Sequence, residues 1–373
     1  MIIYLTYNDI PSGIFSSQVI DVVNFYNHEL NTKVKLVALI SFRKFLKNKK
    51  KIIQECPDAI VIPMFPGVHR WHLNYWLLIL VFWRLKPKKI IGRSVLATQL
   101  ALKFKNRNCK IIYDGRGAIT SEWNEYDVVN ADYLKKKILK WEKEAVLNTD
   151  FSIAVSNKLV EYWQQEFNYN SSKHVVIPCT LNRIYEQVEL SEKLIDEARK
   201  RLALSTADIV FAYSGSIAGW QSFDLLYNFI SPILKFSLNN KILFLSDMDI
   251  NIQKLQSEFK NQVICKKVNH NKVPEYLIAA DYGLLIREES ITNKVASPVK
   301  FAEYLACGLK VIISENLGDY SEFIEKYNCG VLFKNYLKET KVNKINQREL
   351  ANNYFIKSKY KELYKKILTE PIQ

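Results

Sequence analysis

Short runs of β-branched and aliphatic residues alternate along this chain with longer amphipathic segments, and this alternation constrains the fold more than any other feature. The first series of such runs is IIYLTY, VKLVALI, AIVIPMF, KIIGRS, KIIYDGRG, FSIAVS and HVVIPC. Segments long enough to form helices separate the runs, as in parallel sheets whose strands are joined by helical crossovers. We therefore expect an α/β fold with a doubly wound parallel sheet.

A second series of strand-like runs follows the polar, charged segment NRIYEQVELSEKLIDEARKRLAL. Its members are IVFAYSGS, KILFLSD, QVICKKV, YGLLIRE and LKVIISE. Because the chain has 373 residues, about twice the usual length of one domain, we expect two doubly wound domains. We predict domains at 1–182 and 183–355, and a terminal helix over 356–373 in which aromatic and apolar residues recur at helical spacing.

The net charge of the chain is +15, and most of the excess lies in its first half. Residues 1–180 contain 26 Lys and Arg against 15 Asp and Glu, whereas residues 181–373 contain 27 against 23. Such an asymmetry is expected where one domain faces a polyanion: nucleic acid, an anionic membrane surface or a phosphorylated ligand. The charge alone does not choose among the three.

Cysteine usage and apolar runs bear on the compartment of the protein. The six cysteines include no C-x-x-C pair, which argues against a disulfide framework or a zinc site and favours a reducing cytosol. The opening MIIYLTYND does not have the pattern of a secretory signal and is predicted to form the first strand. The apolar run Tyr75–Trp83 is too short to span a bilayer, which takes ~20 residues, and is interpreted as a buried core helix or, alternatively, a partly inserted interfacial helix.

Residues that follow parallel strands are the first candidates for function, because ligands of open α/β sheets bind beyond the carboxyl ends of the strands. Gly13 follows the first strand and precedes a helix-like segment, where a backbone can approach a ligand, although an ordinary turn is an alternative. Asp114 and Arg116 lie in the run DGRG after KIIY, where the guanidinium can be presented to a carboxylate or phosphate. Arg93 ends another strand-like run but receives no role.

Two further candidates lie in the second half of the chain. The loop YSGSIAGWQ, with Gly215 and Ser216, separates a strand from a helical segment and is either a phosphate-binding loop or a plain turn. Arg287 ends the run YGLLIR, and Lys300 and Glu303 lie three residues apart on one face of the helix predicted after it. This pair is either a surface salt bridge or a cation for a diphosphate beside an acceptor for sugar hydroxyls.

The stretch SPVKFAEYLACGLKVIISENLGDYSEFIEKYNCGVLF resembles the donor-binding region of retaining GT-B glycosyltransferases of family four. DYGLLIR resembles the family's strand before the donor helix, YSGSIAGW its phosphate loop, WEKEAVLNTDFSIAVSNKLVEYW the last helix and strand of its acceptor domain, HVVIPC the start of its interdomain linker, and IIYDGRG a strand-end motif of bacterial members. The resemblance covers most of the chain. It implies GT-B architecture: two Rossmann-like domains facing a cleft, the first on the acceptor side and the second binding the nucleotide-sugar, with the terminal helix crossing back to the first domain.

The resemblance also implies roles for individual residues. It implies that Glu303 holds the nucleotide ribose, that Ser216 and its neighbours contact the diphosphate, and that Gly13 lies under the donor phosphates. The donor-binding residues predicted in this way are Gly13, Gly215, Ser216, Ser297, Lys300 and Glu303.

Catalytic roles are assigned to Lys300 and Arg287, because fixed cations stabilise the negative charge that develops on a departing diphosphate. Arg116 is the third catalytic candidate, as the nearest equivalent of the His that many members of the family have at this strand end. Asp114 and Arg116 are placed on the acceptor side. The chain departs from the family pattern in having Val295 where a second Glu is usual, no Arg or Lys in SGSIAGWQ, and DGRG where many members have a His.

The implied reaction is the metal-independent transfer, with retention, of a hexose-type sugar from a UDP- or GDP-linked donor to a glycan or lipid-linked glycan in bacterial surface polysaccharide synthesis. No cofactor and no metal site are expected. The segments RKFLKNKKK and YLKKKILKWEK combine Lys with large apolar residues and suggest a cytoplasmic enzyme held peripherally at an anionic membrane, although solvated helix faces are an alternative. The rival functions are a nucleotide-sugar epimerase of the same architecture and a basic nucleic-acid-binding protein, for which no recognition motif is present.

Overall fold

The computed structural model describes residues 1–126, 128–129, 132–215, 222–336 and 342–369, and the chain divides into two compact units. The first unit comprises Met1–Asn182, Val295–Ser297 and the chain from Lys357 onward, and the second comprises Arg183–Lys294 and Pro298–Ile356. Residues 295–297 therefore differ from the sequence-based division, which placed them in the second domain.

The first unit contains a parallel sheet of seven strands with the order β3-β2-β1-β4-β5-β6-β7. The strands are β1 (Ile2–Tyr7), β2 (Val34–Ile40), β3 (Ile60–Pro63), β4 (Lys89–Arg93), β5 (Lys110–Gly115), β6 (Phe151–Ala154) and β7 (His174–Val176). Ile2 of β1 is in register with Val34 of β2 on one side and with Lys89 of β4 on the other. The strand order thus reverses between β1 and β4, which makes this pair the topological switch point of the sheet.

Helices connect these strands and cover both faces of the sheet. They are α1 (Gly13–Phe15), α2 (Asp21–His28), α3 (Phe45–Glu55), α4 (Asn74–Leu85), α5 (Ser94–Leu102), α6 (Ile119–Glu125), α7 (Asp132–Asn148) and α8 (Asn157–Phe167), with a π-helical turn at Ser16–Ile20 and a 3-10 helix at Val68–Leu73. Because side chains alternate along a strand, Tyr4 packs with α2 and α3 on one face, whereas Ile3 and Leu5 pack with α4 and α5 on the other.

The end of the chain returns to the first unit. After a 3-10 helix at Lys357–Tyr360, helix α18 (Lys361–Thr369) buries Tyr364 and Ile367 in the same core as α2. The Tyr364 ring lies 5.2 Å from that of Phe25 and 5.4 Å from that of Tyr26. Of the terminal helix predicted over 356–373, the structure describes the 3-10 helix and α18, which pack within the first unit, and residues 370–373 lie outside the described residues.

The second unit contains a six-stranded parallel sheet with the order β10-β9-β8-β11-β12-β13. The strands are β8 (Ile209–Ser214), β9 (Asn240–Leu245), β10 (Val263–Cys265), β11 (Tyr282–Leu285), β12 (Lys310–Ile313) and β13 (Gly330–Leu332). Its switch point lies between β8 and β11. Sequence analysis predicted five of these strands and missed β13, a three-residue edge strand whose residues are only half-buried.

The described helices of the second unit surround this sheet. They are α9 (Arg183–Glu186), α10 (Glu192–Arg201), α11 (Phe223–Phe236), α12 (Ile250–Glu258), α13 (Val273–Leu277), α14 (Ile291–Lys294), α15 (Val299–Ala306), α16 (Tyr320–Tyr327) and α17 (Lys344–Tyr354), with 3-10 helices at His270–Lys272 and Phe333–Asn335. The predicted fold class, two parallel α/β sheets of the Rossmann-like type, is confirmed.

Helix α4 confirms the interpretation of the apolar run 75–83 as a core helix for one of its faces only. Its inner face buries Leu78 and Phe82, but Trp76, Leu80 and Trp83 are exposed. Within the part of the chain that the structure describes, no helix is long and apolar enough to cross a membrane.

Candidate functional site

The second unit brings its predicted site residues together at the switch point of its sheet. Gly215 directly follows β8, and Arg287 lies two residues beyond β11, the neighbouring strand. Because the connections leave these two strands in opposite directions, the carboxyl edge of the sheet opens between them, where a ligand can reach backbone groups. Ser216, predicted to contact the diphosphate, lies outside the described residues.

Arg287 is held firmly at this edge. Its backbone N–H donates to the Ser314 hydroxyl over 2.6 Å, and that hydroxyl donates back to the Arg287 carbonyl oxygen over 2.6 Å. The guanidinium Nη1 donates to the Asn293 side-chain oxygen over 3.2 Å, and the Asn293 amide donates to the Glu288 carbonyl over 3.0 Å. A planar cation anchored in this way is suited to bind an anion in a fixed orientation.

Lys300, in the first turn of α15, places its amine against the end of β8. The Lys300 Nζ atom lies 4.8 Å from the centroid of the Tyr213 ring. A Cβ atom added at Gly215 would lie 2.7 Å from the same Nζ, and Gly215 has a φ of +112°. This backbone conformation favours glycine, and any side chain at this position would also displace the end of the lysine. The position after β8 is thus built to admit a lysine amine.

Burial brings the pKa values of Lys300 and Glu303 close to 7. Burial lowers the pKa of Lys300 to about 7, and the positive charge of Arg287 acts in the same direction. Burial raises the pKa of Glu303 to about 7, against the opposing effects of the Lys300 charge and of Tyr185. An arriving anion would favour the charged form of Lys300, so anion binding at this site should be coupled to proton uptake.

Tyr304 fixes α15 against both strands of the switch point, a role that sequence analysis missed. Its hydroxyl accepts from the Ser214 backbone N–H over 3.0 Å and donates to the Leu284 carbonyl over 3.3 Å. A Cβ at Gly283 would lie 2.4 Å from the Tyr304 ring, so the glycine of YGLLIR is needed for the helix to pack this closely. Lys300 and Glu303 are thereby carried on a helix that is hydrogen-bonded to β8 and β11.

Val295 and Ser297 belong to the first unit, whereas Lys300 and Glu303 belong to the second. The Ser297 hydroxyl accepts from the Cys179 backbone N–H over 3.0 Å, and the Val295 carbonyl accepts from the Ser156 hydroxyl over 2.7 Å. The Val295 side chain is buried in the hydrophobic core that contains Trp163. The residue that stands where the resembled family has a second Glu is therefore a core residue in this protein.

The first unit has its own charged cluster at its switch point. Arg93, at the end of β4, contacts the Asp9 carboxylate beyond β1, with 3.4 Å between Nε and Oδ2. Arg93 Nη1 and Asp114 Oδ2 are 3.8 Å apart, and Arg116 Nη1 and Asp114 Oδ1 are 3.4 Å apart. The Tyr4 hydroxyl also donates to Asp114. Two arginines thus share one buried aspartate between them.

Arg116 also reaches across the strand end to other elements of the first unit. Its Nη2 donates to the Gln18 side-chain oxygen over 3.0 Å and lies 3.1 Å from Cys179 Sγ. The Gln18 amide in turn donates to the Thr180 carbonyl over 2.7 Å. Gly13 begins α1, where the Ser12 hydroxyl caps the helix by accepting from Phe15 N–H over 3.4 Å.

Burial controls the titration of this cluster as well. Burial and the Asp114 charge raise the pKa of Tyr4, which keeps the phenol protonated as a hydrogen-bond donor. Burial raises the pKa of Asp9, while the charges of Arg93 and Arg116 oppose that shift. Sequence analysis selected Asp114 and Arg116 but gave no role to Asp9 or Arg93. The position of these two at the ends of β1 and β4 was the signal, and the strand order was needed to interpret it.

The fold is shared with solved structures of glycosyltransferases. Sucrose-phosphate synthase from Thermosynechococcus elongatus matches with a TM-score of 0.71 and 14% identity over 100% of both chains. A glycosyltransferase from Rickettsia africae ESF-5 matches with a TM-score of 0.70 and 15% identity over 99% of each chain. WaaG, a glycosyltransferase involved in lipopolysaccharide biosynthesis, matches with a TM-score of 0.67 and 12% identity over 100% of each chain. These matches show that the chain has the GT-B fold.

Epimerases match less well. UDP-GlcNAc 2-epimerase from Neisseria meningitidis, bound to UDP-GlcNAc, has a TM-score of 0.56 and 12% identity over 98% of this chain and 94% of its own. No protein-family model matches the chain, and no curated protein sequence matches it.

Proposed function

We propose that this chain is a retaining, metal-independent glycosyltransferase that moves a hexose-type sugar from a UDP- or GDP-linked donor to a glycan or lipid-linked glycan acceptor. The observation that carries the proposal is the grouping of Arg287, Lys300 and Glu303 at the switch point of the second sheet, next to Gly215. Two cations and a carboxylate on fixed elements match a ligand that combines a diphosphate with sugar hydroxyls.

The chemistry follows from these groups. Cleavage of a glycosyl–phosphate bond leaves negative charge on the diphosphate, which the Arg287 guanidinium and the Lys300 amine would stabilise. Lys300 would already have taken up a proton from solvent when the anionic diphosphate of the donor bound, because burial lowers its pKa in the free protein and a neighbouring anion raises it again. The Glu303 carboxylate would accept hydrogen bonds from the nucleotide ribose. The departing phosphate would take the proton of the acceptor hydroxyl, so no protein base is required.

The first unit would provide the acceptor side. Its switch point presents Asp9, a partly exposed carboxylate held by Arg93, next to the Asp114–Arg116 pair. Carboxylates and guanidinium groups with fixed partners are suited to hydrogen-bond a glycan or its phosphate. The basic excess of this unit supports a cytoplasmic protein held peripherally at an anionic membrane, where lipid-linked acceptors are found. WaaG and the lipopolysaccharide outer core galactosyltransferase WaaB, which share the fold, support a role in bacterial surface polysaccharide synthesis.

The test is thermal stabilisation by UDP, GDP, ADP and CMP and by their sugar conjugates, with a metal chelator present. A ligand at 100 times its Kd adds ~2.7 kcal/mol of stability, which is readily measured. We expect one nucleotide series to stabilise the protein and Glu303→Gln to weaken that stabilisation, whereas Glu325→Gln, at an exposed position of helix α16, should not change it. Stabilisation that needed a divalent cation would refute metal independence, and no stabilisation by any nucleotide would refute the donor site.

A nucleotide-sugar epimerase is the second candidate, because epimerases bound to UDP-GlcNAc share the fold. An epimerase converts its nucleotide-sugar without any acceptor. A glycosyltransferase leaves the nucleotide-sugar unchanged until an acceptor is supplied, or slowly hydrolyses it to free sugar and nucleotide. Proton NMR of the stabilising nucleotide-sugar, incubated with the protein alone, separates the two functions: a new anomer or epimer that remains linked to the nucleotide identifies an epimerase.

A further inference from the structure

Helix α4 is unusual in exposing large apolar side chains along one stripe. Trp76, Leu80 and Trp83 are 65%, 71% and 77% exposed, although their neighbours Leu78 and Phe82 are buried in the core. Their spacing of four and three residues places them on one side of the helix. A contiguous exposed apolar stripe of this size marks a surface that contacts something other than water, unlike single apolar residues scattered over a surface.

The sequence segment that contains this helix is basic throughout, although Lys105 and Lys110 in it pair with Asp150. Residues 59–113 include ten Lys and Arg and no Asp or Glu. Arg84, Lys86 and Lys88 are exposed at the end of α4. The Lys103 amine lies 5.1 Å from the centroid of the Tyr75 ring, at the beginning of the helix. The apolar stripe is thus bordered by cations at both ends.

An open groove of about 750 Å³ runs beside the stripe, lined by Tyr75, Ile79 and Trp83 of α4 together with Phe104. Lys86, Lys88 and Arg107 also line it. Lys88 directly precedes β4, so the groove opens at the amino edge of the first sheet, at the other end of the strands from the Asp9–Arg93 cluster. This surface is therefore separate from the candidate site of the same unit.

We infer that α4 docks the protein onto an anionic phospholipid bilayer. Trp76, Leu80 and Trp83 enter the interfacial region, where indole rings are favoured, and the surrounding cations contact lipid phosphates. Charge complementarity selects this occupant. A second copy placed symmetrically on the same face would bring the exposed cations Lys86, Lys88 and Arg107 against their own copies, and no acidic residue lines the groove to offset them.

This surface is the alternative that the sequence offered for the run 75–83, and it differs from the two lysine-rich segments that the sequence favoured as membrane contacts. Phe45 and Ile53 of the lysine-rich helix α3 pack against the core on one face of the first sheet, whereas α4 packs against the core on the other. Helix α7, which contains the other lysine-rich segment, lies closer to α4: the ring centroids of its Trp141 and of Trp71, just before α4, are 5.0 Å apart. We therefore expect α4 to be the main membrane contact and the lysines of α3 to contribute little.

The inference rests on the proposed function because that function also names a membrane as the partner. The two are tested separately, since vesicle binding is measured without nucleotide. The full-length protein is sedimented with phosphatidylcholine vesicles and with vesicles of phosphatidylcholine and phosphatidylglycerol. The test variant is Trp76→Ser/Leu80→Ser/Trp83→Ser. The matched control is Phe236→Ser/Leu238→Ser, which removes apolar side chains that are 82% and 77% exposed in the second unit.

We expect the wild-type protein to bind the anionic vesicles and the test variant to bind them at least about tenfold more weakly, while the control binds like the wild type. A conservative variant, Trp76→Phe/Trp83→Phe, should keep its binding but lose much of the tryptophan quenching caused by brominated acyl chains. Equal binding by wild type and test variant would overturn the inference, as would failure of the wild type to bind anionic vesicles. If the wild-type protein bound anionic vesicles but no nucleotide stabilised it, the proposed activity would be refuted and this inference would stand.

Discussion

Gly215→Ala is the most informative perturbation of the candidate donor site, because the structure separates two effects of the added methyl group. The first is backbone strain: a φ of +112° is outside the regions that an alanine adopts readily, which costs about 1–3 kcal/mol of folding stability. The second is a steric contact, because the new Cβ would lie 2.7 Å from Lys300 Nζ and 2.8 Å from its Cε.

The two effects should appear in different measurements. The end of a lysine side chain moves easily, so the contact should add little to the loss of stability. It should instead displace the amine from the end of β8 and reduce the affinity for a nucleoside diphosphate by about tenfold to a hundredfold, the worth of one hydrogen bond to a charged group.

A double-mutant cycle with Lys300→Ala tests this separation. Chemical denaturation should show nearly additive losses of unfolding free energy, because the strain at Gly215 does not depend on Lys300. Titration with the stabilising nucleotide should show strong coupling, because Gly215→Ala has no amine to displace once Lys300 is removed. Gly117→Ala is the stability control, since a Cβ there would meet no atom within 4 Å and its φ is not positive.

Two results would refute this reasoning. If Gly215→Ala were as stable as Gly117→Ala, the backbone at residue 215 would not be strained by a side chain. If Gly215→Ala lowered nucleotide affinity equally with and without Lys300, the amine would not be the group that the methyl displaces.

Three other substitutions test the assignments independently. Tyr304→Phe should lower the free energy of unfolding by about 1–3 kcal/mol, because the buried Ser214 N–H loses its acceptor. Urea denaturation measures this loss, and an unchanged midpoint would contradict the role of the Tyr304 hydroxyl as a bridge between β8 and β11. Val295→Glu should lower the melting temperature and add no activity, because it buries a carboxyl group in a hydrophobic core. Val295→Leu should lower the melting temperature much less. A stable and more active Val295→Glu variant would place residue 295 in the donor site after all. Burial lowers the pKa of Lys300 to about 7 although the Glu303 charge raises it, so the pKa of Lys300 should be lower still in Glu303→Gln. In that background the affinity for a nucleoside diphosphate should fall as pH rises toward and beyond 7, because neutral Lys300 must then take up a proton on binding. Calorimetry at several pH values should show this slope, and Lys300→Met should abolish it.

The sequence alone determined the fold class and most of the strands. β1 and β2 coincide with the runs IIYLTY and VKLVALI, because strands buried on both faces must be apolar along their whole length. The missed strand β13 has three half-buried residues, so it carries no such run. Strand ends also directed attention to Gly215 and Arg287, which the structure places on neighbouring strands. Their roles as donor-binding and catalytic residues stay predictions.

Tertiary structure decided what depends on distant parts of the chain. Asp9, Arg93 and Asp114 meet because β4 lies between β1 and β5, an order that no local pattern specifies. Val295 is a core residue because a short segment joins the first unit, although its neighbours in sequence belong to the second. The apolar run of α4 likewise does not reveal whether the helix is buried on all sides or exposes one of its faces to solvent. Periodicity is written in local sequence because backbone geometry repeats locally, but burial depends on which distant element covers each face.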